Sequence, residues 1–135
     1  HSDLRRQRQM CIRDRGVVVN ITDDVEAGLI PIKHMLALYV GGMGAKDRNF
    51  HKELVSRMGF EADAEKIQAL YLEGKKQEAA EAVPSALADE ISLVGPVEKI
   101  RERLQVWDET PVTSLNVSAR SVTELQTLAE LMLDR

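Results

Sequence analysis

Three short β-branched stretches separated by helical sequence constrain this chain more than anything else in it. Residues 17–22 (VVVNIT) and 91–94 (ISLV) are apolar on both faces, the pattern of strands buried in a parallel sheet, and residues 112–118 (VTSLNVS) supply a third. Sequence of helical period follows each of them, so the order is strand, helices, strand, helix, strand, helix. Strands joined through helices run parallel with right-handed crossovers, which makes the fold class α/β.

The helical segments carry their own punctuation. Asp23 and Asp24 offer an N-cap to a helix with Val25, Leu29, Ile32, Leu36 and Tyr39 on one face; Pro31 should kink or restart it, and Gly41 to Gly44 should end it. Asn49 caps a second helix lined by Phe50, Leu54 and Met58, with Gly59 where a left-handed C-terminal residue is wanted. Residues 62–73 predict a third, stopped by Gly74. An alanine-rich fourth runs from Lys76 to near Pro84, and residues 85–90 add a turn or two. Beyond Gly95 and Pro96, an amphipathic helix presents Val97, Ile100, Leu104 and Trp107 on its apolar face. The capping box Ser121-Val122-Thr123-Glu124 starts a last helix that should bury Val122, Leu125, Leu128, Ala129 and Met132.

Three parallel strands leave at least one edge with unpaired backbone groups, whereas an eight-stranded barrel of roughly 250 residues has none. The expected architecture is therefore the C-terminal part of a (β/α)8 TIM barrel, about its last three strands, with extra helices between the first two. Residues 1–15 stand apart: they hold five Arg against two Asp, while the other 120 residues hold 13 basic and 20 acidic side chains. The composition breaks at Gly16. Residues 9–15 (QMCIRDR) resemble the translated end of a transposon used in sequencing libraries, so residues 1–15 are expected to be a non-native or disordered leader and residues 16–135 the domain.

Bulk properties close off several function classes. A net charge of -4 with 4% aromatic residues gives no nucleic-acid surface, and a single Cys excludes both a disulfide framework and a multi-cysteine zinc site. No apolar run approaches the about 18 residues of a membrane span, and the start lacks the apolar core of a secretory signal. A cytoplasmic location is expected, with no membrane partner. His34 and His51 have no metal-ligand spacing, so no metal is expected.

The stretch LYVGGMGAKDRNF at residues 38–50 invites a phosphate-loop reading and fails it. No Ser or Thr follows Lys46, and Asp47 stands where the dinucleotide fingerprint needs Gly or Ala. Its glycines are expected to serve geometry, with positive φ and close approach to another segment. Tyr39, Met43, Asn49 and Phe50 would then pack at a barrel mouth or a contact between subunits, which leaves a homo-oligomer open. In a barrel the chemistry lies at strand C-termini, nominating Thr22, Asp23 and Asp24, then Gly95 and Pro96, then Ser118, Ala119 and Arg120. The amides at Val97 and Glu98 with the Arg120 guanidinium could take an anionic group; capping and a solvated arginine are the simpler roles, as capping is for Asp23 and Asp24. Arg57 is the basic residue expected to point inward.

Residues 20–24 (NITDD), Pro31, 36–44 (LALYVGGMG), 49–51 (NFH), 57–60 (RMGF), Val83-Pro84 and 93–96 (LVGP) together resemble the C-terminal part of luciferase-like oxidoreductases, in the branch that uses the deazaflavin coenzyme F(420). The resemblance runs from Gly16 to Arg135. It implies a barrel with its cofactor at the carboxyl ends of the strands and hydride transfer to or from a small organic substrate. Relatives use FMN for monooxygenation, which is the alternative cofactor. Pocket-lining or cofactor-binding residues would come from Tyr39, Gly41, Gly42, Met43, Gly44, Asn49, Arg57, Gly95 and Arg120. The catalytic residue stays unknown, because the family's acid or base belongs to earlier strands; the chain by itself is expected to be inactive. A noncatalytic α/β interaction module is the reading from a different class.

Overall fold

The computed structural model describes residues 14–133. Its elements, in chain order, are β1 (Asp14–Ile21), α1 (Val25–Gly42), α2 (Phe50–Val55), a wide helical turn (Ser56–Phe60), α3 (Glu61–Leu72), α4 (Lys76–Glu81), α5 (Ser85–Glu90), β2 (Leu93–Gly95), α6 (Val97–Asp108), β3 (Ser114–Ser118) and α7 (Val122–Leu133). The α/β class and the parallel sheet agree with the expectation. β1 starts two residues ahead of the composition break at Gly16, because Asp14 and Arg15 pair with Ser114 and Leu115 through the backbone, which is indifferent to side-chain charge. The remainder of the expected leader lies outside the described residues.

The strand order is not sequential. Three consecutive barrel strands would pair in chain order, but here β1 lies between the other two, in the order β2-β1-β3. The lower part of β1 pairs in parallel with β3, from Asp14 opposite Ser114 to Val18 opposite Ser118. Only its upper part pairs with β2, with Val19 opposite Leu93 and Ile21 opposite Gly95. The physical reason is length: β2 has three residues, too few to flank the eight of β1.

Two apolar cores meet at this sheet. Val17 and Val19 of β1 and Leu93 of β2 pack with Ile100 and Leu104 of α6 and with Leu128 and Leu131 of α7. Val94, one residue along and therefore on the other face, joins Leu29, Ile32, Leu36, Ile67 and Leu87 in a helical core built by α1, α3, α4 and α5. The remainder of that second sheet face is bare. Gly16, Val18, Asn116 and Ser118 are exposed; they alternate with the buried Val17 and Val19 of β1 and the half-buried Leu115 and Val117 of β3.

Several helix boundaries fall where expected, and several faces do not. Gly59 and Gly74 take positive φ of 100° and 84° after the second and third helices. Pro31 lies within α1 without breaking it; Pro31 and Ala27, the residue whose carbonyl loses its donor, are both on the exposed side. The face of Phe50, Leu54 and Met58 is exposed, and Val55 is the residue that α2 buries. The final helix is rotated from its expected setting: it buries Glu124, Leu128 and Leu131, leaving Val122, Leu125 and Ala129 in solvent and Met132 partly covered. Glu124 turns inward because its carboxylate accepts the Arg120 backbone N–H at 3.3 Å, while its own N–H donates to Ser121 Oγ at 3.1 Å.

The largest correction concerns Gly41 to Gly44. None of these glycines has positive φ, and α1 runs through Gly42. Close approach is their role. A methyl group on Gly41 would lie 2.4 Å from Tyr71 Cβ, and one on Gly42 2.6 Å from Tyr71 Cε1, so the pair admits α3 against α1. Gly44 sits in a tight turn where a methyl group would be 2.9 Å from the Arg48 carbonyl oxygen. Gly41→Ala should destabilise the chain by about 1–3 kcal/mol through overpacking, beyond the helical preference for Ala. Gly42→Ala should cost less, since the tip of a tyrosine moves more easily than its Cβ. Urea unfolding of both variants, with Tyr71→Gly, which alone removes the clashing Cβ, as the relieving partner of Gly41→Ala, measures this order.

Candidate functional site

The register brings three strand ends to one edge of the sheet. Ile21 lies opposite Gly95 and Val18 opposite Ser118, so Thr22, Gly95 and the Ser118–Arg120 segment follow along the same margin. The Thr22 N–H donates to Gly95 O at 2.9 Å, closing β1 onto β2 just before the chain turns into α1. Asp24 then caps α1, its Oδ1 accepting from Ala27 N at 3.1 Å, while its own N–H donates to Thr22 Oγ1 at 3.2 Å. Capping thus accounts for Asp24, and Asp23 is exposed.

The cations at this margin already have partners. Arg120 lies with Nη2 3.5 Å from Glu124 Oε2. Lys99, whose stem covers Gly95, places Nζ 2.6 Å from Asp89 Oδ1, and Arg103 donates to the carbonyls of Asp89 and Glu90 at 2.9 and 3.1 Å. Gly95 has φ of 146°, and a methyl group there would be 2.7 Å from Lys99 Cδ, so its backbone stays uncovered by any side chain of its own. Arg120 is the exposed cation of this margin, balanced on one side only.

One residue of the margin was missed. Asn20, the polar residue inside the apolar run of VVVNIT, is buried with its Nδ2 3.4 Å from Gly28 O, and its Oδ1 has no partner among the described residues. Gly28 makes room for it: a methyl group there would be 2.7 Å from Val94 Cγ1 and 3.1 Å from Asn20 Nδ2. A polar side chain interrupting an apolar strand was the available signal. As a test of fit for an anionic, hydrogen-bonding cofactor, the margin offers an unsatisfied buried acceptor at Asn20 and an exposed guanidinium at Arg120, while Gly95 is buried under the Lys99 stem with its carbonyl already bonded to Thr22. These fit such a group in part.

The other expected site residues lie elsewhere. Tyr39, Gly41, Gly42, Met43, Gly44, Asn49 and Arg57 gather at the far end of α1, about 26 Å from its cap at the helical rise per residue. They do not share a site with Gly95 and Arg120. Asn49 is the keystone of this end: Nδ2 donates to Val40 O at 2.7 Å and Tyr39 O at 3.1 Å, and Oδ1 accepts from Lys52 N at 3.0 Å. It caps α2 while satisfying the last carbonyls of α1. Gln68, also missed, is buried; it donates to Lys46 O at 3.1 Å and accepts from Lys52 Nζ at 2.7 Å, tying the loop to α3. Arg57 is exposed rather than inward, because it lies in the wide turn Ser56–Phe60, none of whose residues is buried. It borders a polar depression with Lys46, Asp47 and Glu61.

Among the described residues no three His, Cys, Asp or Glu side chains converge as metal ligands, and no helix is long and apolar enough to cross a membrane.

With a parallel α/β sheet and its strand-end margin in place, comparison with known proteins gives the class. Residues 17–114 match the luciferase-like monooxygenase family, and the chain belongs to that family. Over 114 residues it is 40% identical to a protein of Mycobacterium tuberculosis provisionally named coenzyme F(420)-dependent oxidoreductase, covering 84% of this chain and 33% of that relative. The chain thus spans about a third of the length of the relative it matches. No solved structure matches it at a significant level.

Asn49→Ala removes a cap and leaves two inward carbonyls without donors, and should destabilise the protein by about 2–4 kcal/mol. Asn49→Asp should cost at least as much, because a carboxylate facing those carbonyls replaces a donor with a charge. Thermal melting of the two variants against Asn49→Ser, which keeps the capping oxygen, separates the cap from the clasp.

Proposed function

We propose that this chain contributes the C-terminal part of a (β/α)8-barrel oxidoreductase that passes hydride between coenzyme F(420) and a small organic substrate. The observation that carries the proposal is the 40% identity to the F(420)-named relative over most of the chain. The half-paired edge of β1 and the bare face of Gly16, Val18, Asn116 and Ser118 support the barrel, since a barrel's preceding strand would pair with that edge and its interior would cover that face. In such a barrel β1 and β3 would be adjacent wall strands, and β2 a short addition at the mouth.

When bound, the deazaflavin supplies the hydride-carrying carbon. This chain's part is to hold and orient. The Arg120 guanidinium would take an anionic part of the cofactor, and Asn20 would set the position of the first turn of α1 near it. The proton donor or acceptor for the substrate would come from strands that precede β1. The second reading, FMN-dependent monooxygenation, is favoured by the family's own description. A noncatalytic module would leave a bare sheet face in solvent without purpose, which weighs against that reading.

The test is cofactor binding by the product of the gene extended upstream of this sequence. Fluorescence titration should show binding of F(420) in preference to FMN, and Arg120→Ala should weaken it about tenfold while Asp23→Asn leaves it unchanged. Preference for FMN would move the assignment to the monooxygenase reading, and binding of neither would end both.

A further inference from the structure

The bare sheet face carries small and polar residues. β1 presents Gly16 and Val18 there, and β3 presents Asn116 and Ser118, with Gly16 opposite Asn116 and Val18 opposite Ser118 in the register. A methyl group added at Gly16 would meet nothing within 4 Å, so the space beside Asn116 is open. Neither the Asn116 carboxamide nor the Ser118 hydroxyl has a hydrogen-bond partner among the described residues. Next on the same face of β1 comes Asn20, which is buried and whose enclosed Oδ1 is also without a partner among them. The polar groups of this face are thus not satisfied by the chain that supplies them.

In the barrel reading, on which this inference rests, the face becomes interior. A barrel interior that serves packing alone is filled by layers of Val, Ile and Leu, but the two rows here supply one such side chain, Val18, among four. Enclosed polar side chains without partners are costly, and in folded proteins nearly all of them find one. Open volume and free hydrogen-bonding groups together describe the wall of a pocket. Its depth and charge narrow the occupant. Ser118 is the last residue of β3, and Asn116 lies one pleat lower, about 7 Å further from the strand ends. The cofactor's anionic part is assigned to Arg120 above them, whereas all four residues of the two rows are neutral, so the group they select is uncharged. A carboxamide sets a donor and an acceptor side by side, which an N–H next to a carbonyl matches.

We propose that Asn116 and Ser118 are specificity-determining residues that bind a neutral amide or lactam group of the substrate below the strand ends. The Asn116 carboxamide pairs with the N–H and the carbonyl of that group, and the Ser118 hydroxyl donates to the same carbonyl oxygen. Gly16 leaves the room that the group occupies, and Val18 supplies an apolar contact beside it.

The probes are δ-valerolactam and cyclohexanone, six-membered rings that differ by an N–H in place of a CH2. Each is titrated into the upstream-extended protein, with and without saturating F(420), and followed by NMR at the Asn116 side-chain amide. The lactam should bind about fivefold more tightly than the ketone, with the cofactor present as well as absent. Asn116→Leu should erase that preference, and Ser118→Ala should weaken both probes alike. The melting temperature of Asn116→Leu should be no lower than that of the unsubstituted protein, because leucine fills space that is open when no ligand is bound. The proposal is overturned by equal affinities for the two probes, by displacement of the lactam by F(420), which makes the site the cofactor's, or by a melting temperature of Asn116→Leu several degrees lower, which shows that a side chain of the preceding strands already partners Asn116. Each of these results is compatible with intact F(420) binding, so it removes this inference and leaves the oxidoreductase reading standing.

Discussion

β1 serves two neighbours with different halves of one strand. Its lower residues hold β3, its upper residues hold β2, and its inward side chains Val17 and Val19 hold α6 and α7. The helical core reaches the sheet through Val94 and the first turn of α1, where Gly28 admits Asn20 and Val94. If β1 shifted by one residue, Val17 and Val19 would turn toward the bare face and Gly16 and Val18 toward α6. The sheet core would lose its centre, and the strand-end margin would lose its register.

The helical half is held differently, by close backbone approach. Gly41 and Gly42 let α3 come against α1 at Tyr71, and Asn49 ties the end of α1 to the start of α2. A buried amide with three satisfied bonds is worth more than its separate parts, because losing it strands several partners together. Gln68 and Lys52 extend that fastening to the loop.

What could be read in the sequence was local. Asn49 as a cap, Gly59 and Gly74 as left-handed stops, Ser121 with Glu124 as a capping pair and the apolar face of α6 all depend on residues within a turn or two of each other. Strand order did not, since the position of β1 between β2 and β3 follows from pairings across about seventy to a hundred residues. The role of Gly41 was half legible: a glycine pair implies permissiveness, but only the arrival of Tyr71 decides whether it is used for positive φ or for proximity. The inward turn of Glu124 was hidden because a capping glutamate ordinarily lies at the surface. Of the site, the strand-end members Gly95 and Arg120 could be placed from topology, whereas the separation of the Tyr39–Arg57 group followed from α1 continuing through its glycines.

Membership in the luciferase-like family and the geometry of β1 describe a sheet that is covered on one face and bare over most of the other. Amide hydrogen exchange tests that account most directly. In this chain alone, α1 and α3 should be strongly protected, whereas β3 and the lower half of β1 should exchange orders of magnitude faster and become protected in the upstream-extended protein. Equal and strong protection of β3, β1 and the helical core in the isolated chain would contradict it.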